Sequence, residues 1–204
     1  MISGPCESLL STQPNVNVIL LGYQNAQCRG WMGMMHLAIE KFPTGERNKS
    51  MSEKYLTGEQ LAQRIRKVLA GDNPWMCVAF LGPTWIDELF AGGAAPENLR
   101  VVCDLHMGMT VQAALRAGGA PDNERLRHFP DKQMHAKIYA SDKGAVVCSA
   151  NASRSALSSA DRIEDGVWLP RGSKAHHEAE ATFETRYSNA VRVDADALAR
   201  APEY

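Results

Sequence analysis

The apolar and polar positions along the chain follow two kinds of pattern in alternation, one typical of β-strands and the other of amphipathic helices. Short apolar runs rich in β-branched residues predict buried strands, and longer amphipathic stretches between them predict helices. The predicted strands are 16–23, 75–82, 99–105, 126–129, two strands within 134–153, then 164–170 and 191–194. The predicted helices are 57–71, 83–90, 109–119, 151–161 and 173–190, with the ambiguous methionine-rich stretch 30–42 assigned to a further helix. Strands alternating with helices indicate an α/β fold, with a mixed β-sheet flanked by helices on both faces.

The composition fits a folded domain without a strong net charge. Hydrophobic residues make up 45% of the 204 residues, and the formal charge is −1. A charge near zero provides no global positive field, so an anionic ligand has to be held by a local cluster of groups. Five cysteines without a CxxC pair indicate a reduced compartment. Without a signal peptide or an apolar run of about 18 residues, we expect a cytoplasmic protein with no stable membrane association.

The segment MHAKIYASDKGAVVCSANAS, residues 134–153, interrupts two apolar strands with polar groups at matching intervals. We predict a hairpin with a three-residue loop, Asp142–Gly144. This register places His135 opposite Asn151 and Lys137 opposite Ser149, with all four side chains on one face.

These four side chains together suit an oxyanion. A lysine supplies a point charge, while serine and asparagine supply directional hydrogen bonds. Histidine is the member of the set that can attack or shuttle a proton near neutral pH. A phosphate group is therefore the expected ligand.

The same residues resemble the HxKx4D…GSxN signature of the phospholipase D superfamily. The matching positions are His135, Lys137, Asp142, Ser149 and Asn151. The family has an acidic residue near the start of the next strand, for which Glu164 is the best match and Asp165 the alternative. The chain departs from the signature at Cys148, where the family has glycine; because our register points this residue to the packed face, we expect the change to alter packing more than chemistry.

The resemblance covers roughly residues 74–170 and implies a domain organisation. Residues 74–204 would form a phospholipase D-like catalytic domain with one motif, preceded by an N-terminal region, 1–73, of unknown role. Family members need two facing motifs, so a chain with one motif is similar to short bacterial nucleases that build one site across a homodimer. A homodimer is therefore implied.

The resemblance also implies a mechanism without cofactor or metal. His135 attacks phosphorus to form a phosphohistidine, and the same residue of the second subunit protonates the leaving oxygen and then activates water. Lys137 and Asn151 hold the non-bridging oxygens, and Ser149 supports them. Glu164 would bind the other imidazole nitrogen. Asp142 falls in the predicted turn, so we assign it a structural role.

Four further groups of residues fall outside the signature. Asp104 and His106 follow a predicted strand, where α/β sheets place ligand-binding groups, and Arg154 could contact a substrate phosphate. All three are candidate substrate-binding residues, with ordinary surface or loop roles as the alternative. The pair His176–His177 with Glu178 has the pattern of a solvated helix face, although histidine-rich tracts can bind metal.

The sequence thus predicts a metal-independent phosphodiesterase, with nucleic acid, DNA or RNA, as the favoured substrate of an endonuclease. Basic residues near the motif in sequence favour a nucleic acid, although acidic neighbours dilute this signal: Arg116, Arg125, Arg127, Lys132, Lys143 and Arg154. One alternative is a phospholipid-hydrolysing or phospholipid-transferring enzyme, which needs an apolar or basic interfacial surface. Another is a non-catalytic module that binds nucleic acid or a regulatory partner.

Overall fold

The computed structural model describes residues 52–158 and 160–203, so the elements predicted at 16–23 and 30–42 lie outside the described residues. The strands of the described part are β1 (Lys54–Thr57), β2 (Trp75–Val78), β3 (Arg100–Cys103), β4 (Leu126–His128), β5 (Lys137–Ser141), β6 (Gly144–Cys148), β7 (Asp165–Leu169) and β8 (Val191–Arg192). Its helices are α1 (Gly58–Leu69), α2 (Trp85–Phe90), α3 (Gln112–Ala117), α4 (Arg154–Leu157), α5 (Lys174–Asn189) and α6 (Ala195–Arg200).

The strands form one mixed sheet in the order β1-β7-β6-β5-β2-β3-β4-β8. Strands β2, β3 and β4 are parallel to one another, and the remaining neighbours pair antiparallel. The parallel strands are joined by α2 and α3, because a parallel connection needs a crossover rather than a tight turn. The predicted mixed sheet is confirmed.

Helix α1 packs on one face of the sheet, which we call the α1 face. Its buried residues recur at three- and four-residue intervals, as an amphipathic helix requires: Leu61, Ala62, Ile65, Val68 and Leu69. They join Tyr139, Val146 and Trp168 of the sheet in the larger core, to which α2, α3, α4 and α6 also contribute.

Helix α5 covers part of the opposite face, which we call the α5 face. Phe183 stacks on Trp75 with ring centroids 4.3 Å apart. This contact belongs to a second apolar cluster that includes Cys77, Ala140 and Leu169. Helices therefore flank both faces of the sheet, as the sequence predicts.

Residues 54–69 belong to the same compact unit as the rest of the sheet. Strand β1 pairs antiparallel with β7 along its whole length, and α1 contributes to the core beneath β5 and β6. The sheet-containing unit thus begins before residue 74, the predicted start of the catalytic domain. The reason is physical: α1 buries the apolar side of the hairpin and cannot be separated from it.

The predicted register of the β5–β6 hairpin is wrong by one residue. Ser141 pairs with Gly144, so the loop contains two residues instead of three, and Ile138 lies opposite Val147. Gly144 has φ of +111° and lies so close to the Leu169 carbonyl that a Cβ would clash with it. A one-residue shift exchanges the faces of one strand relative to the other.

The shift changes which side chains share a face. Lys137 and Tyr139 lie on the α1 face with Val146 and Cys148, not with Val147. Tyr139 is fully buried there, and its hydroxyl donates to the Ala150 carbonyl at 3.0 Å. Burial of this aromatic ring fixes the observed register.

Three further differences concern short elements. Strand β1 and helix α6 are additional to the predicted elements, and α4 is much shorter than the predicted 151–161.

Within the described residues, no helix combines the length and apolar character that crossing a bilayer requires.

Candidate active site

His135 and Lys137 lie at the open end of the hairpin, opposite its turn. His135 comes just before β5 and is exposed, and the carbonyl of the next residue, Ala136, accepts a hydrogen bond from Ala79 N–H at 3.0 Å. Lys137 is only 8% exposed, and its Nζ lies 3.0 Å from His135 Nε2 and 3.2 Å from the His135 carbonyl oxygen. The ammonium group and the imidazole are therefore adjacent.

The environment of Lys137 makes its charge easier to lose. Burial lowers the pKa of Lys137 from its usual value, and Cys148 and the Glu164 carboxylate offset part of this effect by raising it. Burial raises the pKa of Cys148 to about 12, so this side chain remains a neutral thiol. Because the thiol is neutral, the negative charge of the Glu164 carboxylate is the one that favours the protonated form of Lys137.

Asn151 reaches the same place through a bend in the chain. Strand β6 ends at Cys148, and Ala152 forms an isolated bridge with Leu81 beyond the end of β2. His135 and Asn151 line one cavity of about 130 Å³. The buried Oδ1 of Asn151 has no hydrogen-bond partner among the described residues. Such an orphaned amide beside an imidazole is unusual for a purely structural site.

Ser149, two residues before Asn151 in the chain, forms a hydrogen-bonded pair with Glu164. Ser149 Oγ donates to the Glu164 carboxylate and accepts from Asp165 N–H at 3.1 Å. In this chain the Glu164 carboxylate accepts a hydrogen bond from Ser149, whereas the resemblance implies a hydrogen bond between Glu164 and the His135 imidazole. Asp165, the alternative acidic residue, is the first residue of β7.

Asp104 supports the site from beneath. It is 2% exposed at the end of β3, and its two carboxylate oxygens accept from Met107 N–H at 2.8 Å and from Met134 N–H at 2.7 Å. Both oxygens are therefore used by backbone, and one bond holds the residue that precedes His135. This position suits a positioning residue better than the substrate contact that the sequence suggested.

His106 and Arg154 are not among the residues that line the His135 cavity. His106 Nε2 lies 3.0 Å from the Phe129 carbonyl, and the residue lines a different cavity together with His128 and Arg200. Arg154 is exposed at the first position of α4. Neither residue therefore contributes to the lining of that cavity in the described part of the chain.

The basic residues that cluster in sequence do not cluster around the cavity. Arg127 lies over the Tyr187 ring at 4.3 Å and donates to the Tyr187 carbonyl. Lys132 lies over the Phe129 ring at 4.8 Å and lines a second cavity, of about 340 Å³, which His135 shares. Lys143 is in the hairpin turn, at the opposite end from His135. A chain that folds back on itself separates charges that are adjacent in sequence.

Several residues of the cavity lack a sequence signal. Its lining includes Arg162, Ser153 and Ser155, with Met107 and Met109 adding an apolar part that is 41% and 54% exposed, respectively. These residues come from the loop after β3 and from the segments around α4. Irregular segments have no hydrophobic period, so their convergence could not be predicted.

Asp142 lies in the hairpin turn, far along the strand from His135. Its Oδ1 accepts from Asp72 N–H at 2.6 Å, and its own N–H donates to the Asp72 carbonyl at 3.0 Å. The side chain thus connects the turn to the loop after α1.

Cys148 packs against the core of the α1 face and is paired with Gly166 of β7. A Cβ on Gly166 would lie 2.7 Å from Cys148 Cβ and 2.8 Å from Leu61 Cδ1. Gly166 therefore leaves room for the side chain of Cys148, which stands at the position where the family signature has glycine. The cysteine does face the core, on the α1 face together with Lys137 and Tyr139.

Comparisons with known proteins concern the fold. No protein-family model matches the chain, and no curated protein matches it. The structure of Nuc from Salmonella typhimurium, a phospholipase D family member, has a TM-score of 0.53 at 15% identity and covers 71% of this chain and 100% of that chain. Phosphatidylserine synthase from Haemophilus influenzae Rd KW20 has a TM-score of 0.51 at 12% identity, covering 70% of this chain and 38% of that chain.

The Salmonella structure matches along its whole length, so the likeness is not confined to one supersecondary unit. The chain therefore has the fold of these two structures, which confirms the fold that the sequence predicted.

Proposed function

We propose that the protein is a metal-independent phosphodiesterase that uses His135 as its nucleophile. The observation that carries the proposal is the arrangement at the open end of the hairpin. An imidazole lies 3.0 Å from a buried ammonium group and lines a cavity together with Asn151. An anion entering this cavity would meet the nucleophile and the Asn151 amide N–H₂, which can donate to a non-bridging oxygen, with the Lys137 ammonium next to the imidazole.

In the proposed first step, the lone pair of a His135 nitrogen forms a bond to phosphorus and the ester P–O bond breaks. The leaving oxygen takes a proton from His135 of the partner subunit. In the second step that imidazole removes a proton from water, the water oxygen bonds to phosphorus, and the N–P bond breaks. Lys137 and Asn151 bind the oxygens on which charge accumulates, and Ser149 with Glu164 supports them.

The homodimer is part of the proposal because the chemistry needs two imidazoles. The described residues that line the cavity include one, His135. The second subunit would supply the other, as the single copy of the motif implies. One phosphohistidine per two chains is then the expected stoichiometry.

We propose nucleic acid as the substrate class. Arg162 adds a cation to the lining of the cavity, where it could bind a neighbouring phosphate along a polynucleotide backbone. The exposed Met107 and Met109 at the same cavity favour a second candidate, a phospholipid, because they present apolar surface next to the nucleophile.

Turnover in the presence of a chelator tests the proposal. The full chain is incubated with EDTA and plasmid DNA, a chromogenic phosphodiester, or phosphatidylcholine vesicles, with and without vanadate. We expect vanadate-sensitive cleavage of plasmid, abolished in His135→Ala, and an acid-labile phosphoprotein with one phosphate per dimer. Cleavage of vesicles alone would favour the lipid enzyme, and absence of turnover on all three substrates would overturn the proposal.

A further inference from the structure

The beginning of α5 brings together three side chains that can bind a metal ion. His176, His177 and Glu180 each offer a ligand atom, and these atoms lie within 4.8 Å of one another. In a helix, Glu180 is one turn beyond both histidines and therefore lies between them on the surface. His177 Nδ1 is 3.9 Å from Glu180 Oε2.

His176 is the unusual member of this group. It is only 6% exposed, and its Nε2 lies 3.3 Å from the carbonyl oxygen of Ser141 in β5. Because a carbonyl can only accept, Nε2 carries the proton and Nδ1 presents its lone pair. Nδ1 is buried and has no hydrogen-bond partner among the described residues.

This combination is the one that metal-binding histidines use. Such a histidine donates its distal N–H to a backbone carbonyl or a carboxylate, which fixes the tautomer and leaves the other nitrogen for the metal. A buried imidazole nitrogen with nothing to accept from requires an explanation, and a bound cation supplies one.

We propose that His176 Nδ1, His177 and Glu180 form a binding site for a divalent transition metal, with Zn²⁺ as the best match. Two imidazoles and one carboxylate are borderline ligands that suit zinc, whereas magnesium and calcium prefer an all-oxygen set. A water molecule would complete a tetrahedral coordination. The exposed side chains of His177 and Glu180 can rotate to close the distances to the buried nitrogen, because they are 65% and 51% exposed.

The site is separate from the proposed catalytic centre. Ser141, the partner of His176, is in the strand end next to the hairpin turn, while His135 is beyond the other end of the same strand. A metal here would fasten α5 to the β5–β6 turn and stabilise the folded state by mass action. It would take no part in phosphoryl chemistry, so this inference stands or falls independently of the proposed function.

Zinc titration of the full chain tests the site. The protein is stripped with chelator, exchanged into metal-free buffer and titrated with ZnCl₂ in a calorimeter. We expect His177→Ala and Glu180→Gln each to remove one site or weaken it by roughly tenfold or more, since loss of even an outer-shell partner costs about that much. Glu178→Gln, which removes a neighbouring carboxylate that pairs with Lys174, serves as the matched control and should bind like wild type.

Because each variant is compared with wild type, zinc bound by other histidines and cysteines of the chain does not contribute to the difference between them. Equal zinc affinity and stoichiometry in wild type, His177→Ala and Glu180→Gln would overturn the proposal. A long-range ¹H–¹⁵N spectrum of the histidine rings gives a second readout that needs no variant of the buried residue. We expect the Nε2–H tautomer of His176 and a shift of its Nδ1 on adding zinc; the Nδ1–H tautomer, unchanged by zinc, would also contradict the site.

Discussion

The two ends of the β5–β6 hairpin use similar residues in opposite ways. At the turn, Ser141 Oγ donates to the Val68 carbonyl and accepts from Lys143 N–H at 3.0 Å. Lys143 Nζ donates to the Ala70 carbonyl at 2.8 Å, and Asp142 accepts from Asp72 N–H. The polar groups here connect the turn to the end of α1, and each bond stabilises the fold.

At the open end the polar groups are left available. The Lys137 ammonium contacts the ring and carbonyl of His135, and Asn151 Oδ1 has no partner among the described residues. A buried acceptor without a partner costs free energy, which a ligand group that donates a hydrogen bond would recover. We expect the bonding of each lysine to separate the proposed catalytic role of Lys137 from the structural role of Lys143.

The two lysines give the sharpest test of this contrast. We expect Lys137→Met to lower kcat by about 10²–10³-fold, because it removes a charged donor from the oxygens that gain charge in the transition state. Phosphodiester turnover at saturating substrate measures the effect. The methionine keeps the length of the buried stem, so the free energy of unfolding should change little.

Lys143→Met is the matched control for this prediction. It changes the same residue type in the same hairpin but removes only a bond to the Ala70 carbonyl. Its kcat should equal that of wild type. Comparable losses of activity in both variants would show that the hairpin as a whole, and not its open end, controls turnover.

The two aspartates provide the next test. Asp104→Asn replaces an oxygen that accepts from Met107 or Met134 N–H with an amide donor, which loosens the segment that leads to His135. We expect a loss of about 10-fold in kcat with KM nearly unchanged, since small displacements of a nucleophile are costly. Asp142→Asn makes the same chemical change in the turn and should leave kcat unaltered; a higher KM in Asp104→Asn with kcat intact would instead indicate direct substrate contact.

The polar residues of the hairpin could be singled out from the sequence, but their geometry could not be predicted. His135, Lys137, Ser149 and Asn151 were found because charged and polar residues interrupt two strands that are otherwise apolar. The register depended on whether Gly144 belongs to the loop or to β6, and both assignments fit the local sequence. The packing of Tyr139 against α1 decides between them, and packing of this kind is a tertiary effect.

The four polar side chains were expected to share one face of the hairpin. Asn151 instead reaches the cavity from beyond the end of β6. Asn151 arrives there because the chain bends after Cys148 and is held by the Leu81–Ala152 bridge. Arg162 and Met107 arrive from irregular segments, whose paths depend on contacts such as those of Asp104. Bends of this kind have no periodic pattern of apolar residues, so the sequence predicts the strands of a site better than its loops.

A serine at the turn tests stability alone. Ser141→Ala removes a buried bond to the Val68 carbonyl and the part-buried acceptor for Lys143 N–H. The Val68 carbonyl still accepts from Gly71 N–H, so we expect a decrease of about 1 kcal/mol in the free energy of unfolding, the usual net contribution of a hydrogen bond. Urea denaturation followed by far-ultraviolet circular dichroism measures it. Activity per folded molecule should remain that of wild type, and a selective loss of kcat would contradict the division between the two ends.

The smallest expected effect concerns the pH above which the site at the open end of the hairpin loses activity. Lys137 must carry its charge to hold phosphate oxygens, so activity falls as pH rises through the pKa of Lys137, which burial lowers below its ordinary value. Glu164 opposes this shift with its negative charge. Glu164→Gln keeps the size of the side chain and its ability to pair with Ser149 but removes that charge. The pKa of Lys137 should then fall further, and the alkaline limb of the pH profile of kcat/KM should move to lower pH.

The direction of the movement separates this explanation from a general loss of activity. A slower enzyme with an unshifted limb would mean that Glu164 acts on another group, and a limb displaced to higher pH would contradict the proposed electrostatics. Cys148 does not interfere, because the pKa of its thiol is about 12 and it remains uncharged over the whole range. Asp161→Asn removes an exposed carboxylate from the same segment that precedes β7 and should leave the limb in place. Only a charge close to Lys137 moves the limb, so the comparison locates the responsible carboxylate at the open end of the hairpin.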